Sequence, residues 1–423
     1  MSVRLWLALS LCACGITWAY TTGVLAEWVH FNEVRQGLLM QMGDLYSPWM
    51  GTRELLLHHR NPYGPEVSHE IQMAFYGRAI DDAPTKSGVP VLNEQRFAYP
   101  VYVVLLLAPS AYVDFAIVRR WAWIGLALLI VCTVLLSLDF LSQRMPWQLL
   151  MAIILFTLCS PQIVQGLQFE QLAIVVGFLL VAGTWCVSKN HLVWAGALFA
   201  LSTIKPQLAL LPLCAFAIWT LGDWRRRWQL ASSFGAVGCT LFVAAEVLLP
   251  GWFGYFLRNI AAYRKYAPTS SLLWMLMGDR VGMMMSGAII IALLVFGWRN
   301  RAVTANSVKF VDVVVTFLMG VSLAFPLFTP FNQVLLILPA LLLVRDWKTL
   351  PKLSRLVFIV VVSWPWMISP VMTIFRLQLN SPSQLPLLPL FMVSFFPLFL
   401  PLLLMTRRQS FVAQLQPTDS NHA

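Results

Sequence analysis

The chain has 423 residues, of which 59% are hydrophobic and only 11% charged, far more apolar surface than one soluble core can hide. This excludes a water-soluble domain and points to a polytopic membrane protein. The excess of 29 Lys and Arg over 18 Asp and Glu, formally +11, comes with no aromatic-basic module, so it reads as a topology signal and not as a nucleic-acid surface.

A membrane helix needs about 20 predominantly apolar residues. On that measure the chain offers roughly twelve candidates: 5–26, 121–141, 147–163, 169–187, 191–204, 207–221, 229–250, 282–298, 311–328, 332–344, 356–375 and 385–405. The expected fold is an all-α bundle of roughly 10–13 transmembrane helices, treated as one domain. Its parts are an extracytoplasmic loop region at 27–120, a bundle at 121–405 and a cytoplasmic tail at 406–423. The first run follows a basic residue but is longer than a signal core and lacks a convincing cleavage site, so it is read as an anchor. Seven cysteines all fall inside apolar runs, where they behave as small buried residues and suggest neither disulfides nor a metal.

The loop after the first run holds the chain's polar chemistry. Between Glu27 and Glu94 lie nine of the 18 acidic residues, and the same region carries His30, His58, His59 and His69. Ser47 and Pro48 read as the N-cap and first residue of a helix that continues through "WMGTRELLLHH" and stops at "NPYGP". A second helix is expected over "EVSHEIQMAFYGRAI", then a polar link. The stretch "FAYPVYVVLLLAPSAYVDFAIV" should lie along or dip into the outer face, because proline and polar residues interrupt it. No two of the histidines have ligand spacing across the "NPYGP" break, so no metal is expected there. Arg53, Arg60 and Tyr63 are assigned to shaping the loop or its headgroup contacts.

Further along, "LSTIKPQLALL" is either one helix kinked at Pro206 or two short helices meeting at Lys205. Charge favours two, since Lys189 and Arg225–Arg227 then share one side and Lys205 faces the loop side. The basic residues distribute the same way: with both termini inside, the inner loops are rich in Lys and Arg and the short outer ones are poor. The N- and C-termini are accordingly placed in the cytoplasm.

Asp44 stands out as an acid near a helix start. It either serves the helix dipole or, beside Tyr46 and Trp49 at the membrane surface, has a raised pKa suited to a general base. Lys205 either snorkels from a helix end or holds a phosphate as a point charge. Arg258, Arg264 and Lys265 sit in an aromatic outer stretch and would meet lipid headgroups or the same phosphate. Gln168, Glu170 and Gln171 either cap a helix or bind sugar hydroxyls. Asn332 and Gln333 also offer neutral amides, and Glu246 is an acid that needs a cavity or a partner within an apolar run.

Taken in order, "GDLYSPWMGTRELL…NPYGP", "AYPVYVVLLLAP", "GLQFEQLAIVV", "ALSTIKPQLALL" and "NQVLLILPALLL" resemble glycosyltransferase family 87, from about Asp44 to Leu343. The resemblance implies a GT-C type integral membrane enzyme, similar to polyprenyl-phosphate-mannose-dependent α-mannosyltransferases. It implies a hexose, most simply mannose, moved with inversion from a polyprenyl-phosphate donor to a glycolipid or glycan acceptor on the outer face of the plasma (inner) membrane. The family's base falls on Asp44, Lys205 would hold the donor phosphate, and no cofactor is implied. The chain departs from the family where many members have a His and it has Asn332-Gln333, and again in the detail of "LQFEQ". A transporter or flippase of a lipid-linked sugar is the rival class, although the halves of the sequence show no matching repeats.

Overall fold

The computed structural model describes residues 3–21, 42–77, 95–263, 271–325, 329–378 and 396–415, and every regular element among them is helical. In chain order these are α1 (Val3–Ala19), α2 (Tyr46–His58), α3 (Pro65–Tyr76), α4 (Val103–Leu107), α5 (Phe115–Phe140), α6 (Trp147–Leu158), α7 (Pro161–Gln168), α8 (Leu172–Ser188) and α9 (Leu192–Ser202). There follow α10 (Pro206–Gly222), α11 (Trp224–Leu248), α12 (Trp252–Tyr263), α13 (Leu272–Met277), α14 (Asp279–Arg299), α15 (Val308–Ala324), α16 (Ile337–Arg345), α17 (Lys352–Gln378) and α18 (Phe396–Leu415). A 3-10 turn, Pro330–Leu336, leads into α16.

Each of the twelve apolar runs overlaps a described helix, and the parts at 22–26, 326–328 and 385–395 lie outside the described residues. α5, α11 and α14 are long and apolar enough to cross a membrane by themselves, and the pair α6–α7 would make a fourth span were it not bent by 59°. The bend has a local cause. Ser160 precedes Pro161 and is extended (φ −64°, ψ 135°), as the proline ring requires, so the helix restarts in a new direction. Several other apolar helices, among them α1, α8, α9 and α10, are shorter. α8 has buried residues around its whole circumference and is wrapped by α5, α9 and α10, which is why its sequence is apolar without a polar stripe.

Two ion pairs give the bundle a scale. Arg119, near the start of α5, contacts Glu170, while Asp139 at its other end contacts Lys189. Twenty residues of helix separate Arg119 from Asp139, a rise of about 30 Å, the thickness of a hydrocarbon core. The turns before α8 and after it therefore lie at opposite ends of the bundle. Arg227 sits at the end of the bundle where α10 passes into α11. It stacks on Trp219 at 3.8 Å and donates to the carbonyl oxygens of Trp219, Arg301 and Val303.

Between helices, polar atoms bind backbone carbonyls across an apolar interface. In α1, Ser10 Oγ donates to Ala152 O and Thr17 Oγ1 to Cys159 O, seven residues apart on one face. Gly196 lets α9 approach α11 so closely that a Cβ there would lie 2.4 Å from Leu230 O. Gly196→Val should therefore force the two helices apart at a loss of about 2 kcal/mol, as overpacked interiors do. The readout is the thermal unfolding midpoint in detergent, and a midpoint equal to wild type would refute the close-packing account.

The first loop folds as two short helices, close to expectation but with a different start. α2 begins at Tyr46, and the residue before it, Leu45, makes no side-chain cap. Ser47 is not the cap: it is already inside the helix and its hydroxyl faces Gln95 Oε1 at 3.4 Å. Arg60 gathers the loop by donating to Glu54 at 2.8 Å and Glu70 at 2.7 Å. Glu54 also contacts His58 Nδ1 at 3.0 Å. Tyr63 Oη donates to Tyr99 O, and Arg53 lies over Trp49 and reaches Ala111 O, so these side chains do shape the loop. The stretch 97–118 does not cross: α4 has five residues, a 3-10 turn follows, and the chain then enters α5 at Phe115. The polar link expected at 81–90 lies outside the described residues.

Candidate active site

Three breaks between helices meet at one end of the bundle. The first is the turn before α2, the second the turn Phe169–Gln171 between α7 and α8, and the third the turn Thr203–Lys205 between α9 and α10. Each break is enforced locally. Pro206 has no N–H to donate and holds Lys205 out of helical geometry (φ −128°, ψ 75°), so α9 and α10 are two helices and not one kinked rod. Tyr102 pins the same turn, its hydroxyl reaching Thr203 O at 2.8 Å and Thr203 Oγ1 at 3.0 Å. Between α7 and α8, Glu170 takes a left-handed backbone (φ 46°), and Gln171 N–H closes the turn on Gly166 O at 2.8 Å.

The turns are stitched together by backbone and side chain alike. Asp44 N–H donates to Phe169 O at 2.9 Å. The Gln171 amide then bridges two opposite charges: its Nε2 donates to Asp44 Oδ2, and its Oε1 accepts from Lys205 Nζ at 2.9 Å. Gln171 and Lys205 are buried, and Lys205 Nζ also lies 5.2 Å from the centre of the Phe331 ring. Burial pushes the Asp44 carboxyl up to about 6, against the opposing pull of the Lys205 charge and the Gln171 hydrogen bond. Burial likewise brings the Lys205 ammonium down to about 8, with the Asp44 charge opposing that fall. At neutral pH both groups are charged, yet each sits near its titration.

Asp44, Gln171 and Lys205, separated by up to 161 positions, are thus brought to one place. Lys205 is not exposed at an outer turn as expected from charge alone, because Gln171 and Phe331 cover it. Asn332 and Gln333 are buried in the 3-10 turn next to Phe331. Asn332 Nδ2 donates to Thr329 Oγ1 at 2.7 Å, while both amide atoms of Gln333 lack a hydrogen-bond partner among the described residues. A buried amide left open in this way is suited to a hydroxyl-bearing ligand.

Other expected residues lie elsewhere. Gln168 is exposed at the end of α7. Glu246 is exposed, and its Oε1 accepts from Gly251 N–H at 2.7 Å, closing the end of α11. Arg258 is exposed on α12, stacked on Tyr255 at 4.9 Å. Arg264 and Lys265 lie outside the described residues. Among the described residues no three His, Cys, Asp or Glu side chains converge as metal ligands would.

Sequence reasoning did not pair Arg119 with Glu170. Their contact, 2.8 Å from Nε to Oε1, belongs to a second carboxylate close to Asp44, and this one is buried. No spacing signal exists for a pair 51 residues apart on different elements. Burial, with the Asp44 charge adding to it, raises the Glu170 carboxyl, while Arg119 holds it down.

Comparison with known families finds that the model of glycosyltransferase family 87 matches residues 97–330. No curated protein and no solved structure matches the chain.

Proposed function

This chain belongs to glycosyltransferase family 87, and from that premise we propose that it moves a hexose, mannose in the first instance, from a polyprenyl-phosphate donor to a hydroxyl of a glycolipid or glycan. Membership makes it a glycosyltransferase of the membrane, with a sugar donor and an acceptor as partners. The observation that carries the finer reading is the Asp44–Gln171–Lys205 array, in which one buried amide joins an acid poised near neutrality to a cation.

In the proposed reaction the acceptor oxygen attacks the anomeric carbon opposite the phosphate while Asp44 takes the hydroxyl proton. The carbon–oxygen bond to phosphate breaks, and its electron pair stays on the departing polyprenyl phosphate. That leaving group needs a cation more than an acid, and Lys205 supplies one. Arrival of the phosphate would take Lys205 Nζ away from the Gln171 oxygen, leaving the Gln171 N–H to hold Asp44 in place. Asn332 and Gln333 would bind sugar or acceptor hydroxyls in place of the family's His, and neutral amides do this without titrating. Arg264 and Lys265 remain proposed headgroup or phosphate contacts, and the catalytic side is proposed to be extracytoplasmic. Gln168, Arg258 and Glu246 have no part in this reading, given where they lie.

The test is transfer by purified protein in detergent, with radiolabelled polyprenyl-phosphate-mannose against nucleotide-linked mannose and a membrane lipid extract as acceptor. Product is expected from the lipid-linked donor alone, with the opposite anomeric configuration. Transfer from the nucleotide sugar in its place, or retention of configuration, would overturn the proposal.

A further inference from the structure

Glu170 combines three features that a merely structural residue would not need. Its side chain is only 2% exposed, yet Oε2 has no hydrogen-bond partner among the described residues. Its backbone is left-handed at φ 46°, a conformation that glycine takes far more readily. Its carboxylate also fills the space where residue 43 would carry a side chain: a Cβ on Gly43 would fall 1.5 Å from Oε2. Residue 43 is immediately followed by Asp44, whose N–H is held by Phe169 O, the carbonyl just before Glu170.

We propose that Glu170, held by Arg119, is a positioning residue for Asp44, bracing the Gly43–Asp44 backbone so that the Asp44 carboxylate faces the acceptor hydroxyl. The inference rests on the reading of Asp44 as the base. Phe169, Glu170 and Gln171 then act as one clamp: a carbonyl on the Asp44 N–H, a carboxylate against Gly43, and an amide on the Asp44 carboxylate. Arg119 anchors the clamp to the start of α5, the helix whose length spans the bilayer. Buried strain and an unfilled acceptor beside a reactive group are where such functional placement is expected. Gly43 is required for the same reason, since any side chain there would displace the brace.

The experiment measures kcat and KM for the lipid-linked donor, together with the thermal unfolding midpoint, for Glu170→Gln, Glu170→Ala, Gly43→Ala and the double variant Gly43→Ala/Glu170→Ala. Misplacing a reacting group by about 1 Å lowers turnover on the order of 10- to 100-fold, and that loss in kcat is expected for Glu170→Ala with KM unchanged. Glu170→Gln keeps the volume against Gly43 and should retain most of the turnover. Gly43→Ala should lose as much as Glu170→Ala by itself but add nothing to it, because the new methyl enters vacated space. Wild-type kcat per folded Glu170→Ala enzyme, with only the midpoint lowered, would overturn the proposal. So would a full additional loss from Gly43→Ala in the double variant. Asp44→Asn run alongside separates the two ideas: if it keeps its activity, the base assignment fails, whereas if it is inactive while Glu170 variants turn over normally, only the brace fails.

Discussion

Asp44→Asn is expected to lower sugar transfer by about 10³-fold, the middle of the range for loss of a positioned general base. The substitution keeps the size of the side chain and removes only its ability to take a proton, and the Gln171 amide can turn to meet the new amide. The folded protein should therefore be at least as stable as wild type, since a half-buried carboxylate is dearer to desolvate than an amide. The wild-type pH profile carries the same signature. A free aspartate ionises near about 4, which would leave the rate flat down to that pH. Here burial sets the Asp44 carboxyl near about 6, and the base is active only when ionised, so kcat should fall as the pH drops through that value. Activity of Asp44→Asn within tenfold of wild type, or a profile flat to pH 4, would remove Asp44 from the reaction.

Lys205→Met should cost transfer about 10²- to 10³-fold, the scale of removing one donor aimed at developing negative charge. Methionine matches the apolar stem of lysine, so packing against Phe331 survives and the loss isolates the charge. Two changes in the pH profile accompany it. In wild type the Lys205 ammonium, brought down to about 8 by burial, loses its proton as pH rises through that value, and the rate should fall with it. In the variant this alkaline limb disappears. The acid limb also moves upward, because Lys205 is the charge that pulls the Asp44 carboxyl back toward its ordinary range. A Lys205→Met enzyme with unchanged donor KM, kcat and pH limbs would make Lys205 a helix-end lysine and nothing more.

Some of this arrangement was legible residue by residue. Apolar run lengths located most of the helices, though the last run, 385–405, only overlaps α18 (Phe396–Leu415), since a backbone in lipid must satisfy its hydrogen bonds locally and helix is the local solution. Pro206 announced the break after Lys205, and Pro161 could have announced the bend within 147–163, because a proline ring constrains its neighbour whatever the surroundings. Ser47 misled for a related reason: a serine before proline is a common cap, but here the turn Gly43–Leu45 is tied to Phe169 and α2 starts two residues earlier. Lys205 drew notice as a cation beside a proline, and Asp44 as an acid with no cap to make.

What decides the site is contact between positions far apart in sequence, which no local pattern encodes. Sequence by itself determined that this is an all-helical membrane protein, where its helices break, and that Asp44, Gln171 and Lys205 are polar residues at those breaks. Tertiary structure alone decided that the three breaks meet, that Gln171 bridges carboxylate and ammonium, and that Arg119 reaches Glu170 from another helix. It also left Gln168 and Glu246 exposed while Gln171 and Lys205 became buried, since helix ends that look alike in sequence face different surroundings once packed. The physical reason is one of range: hydrophobicity and proline act over a few residues, whereas burial, and the pKa shifts it brings, depend on every element packed around a group.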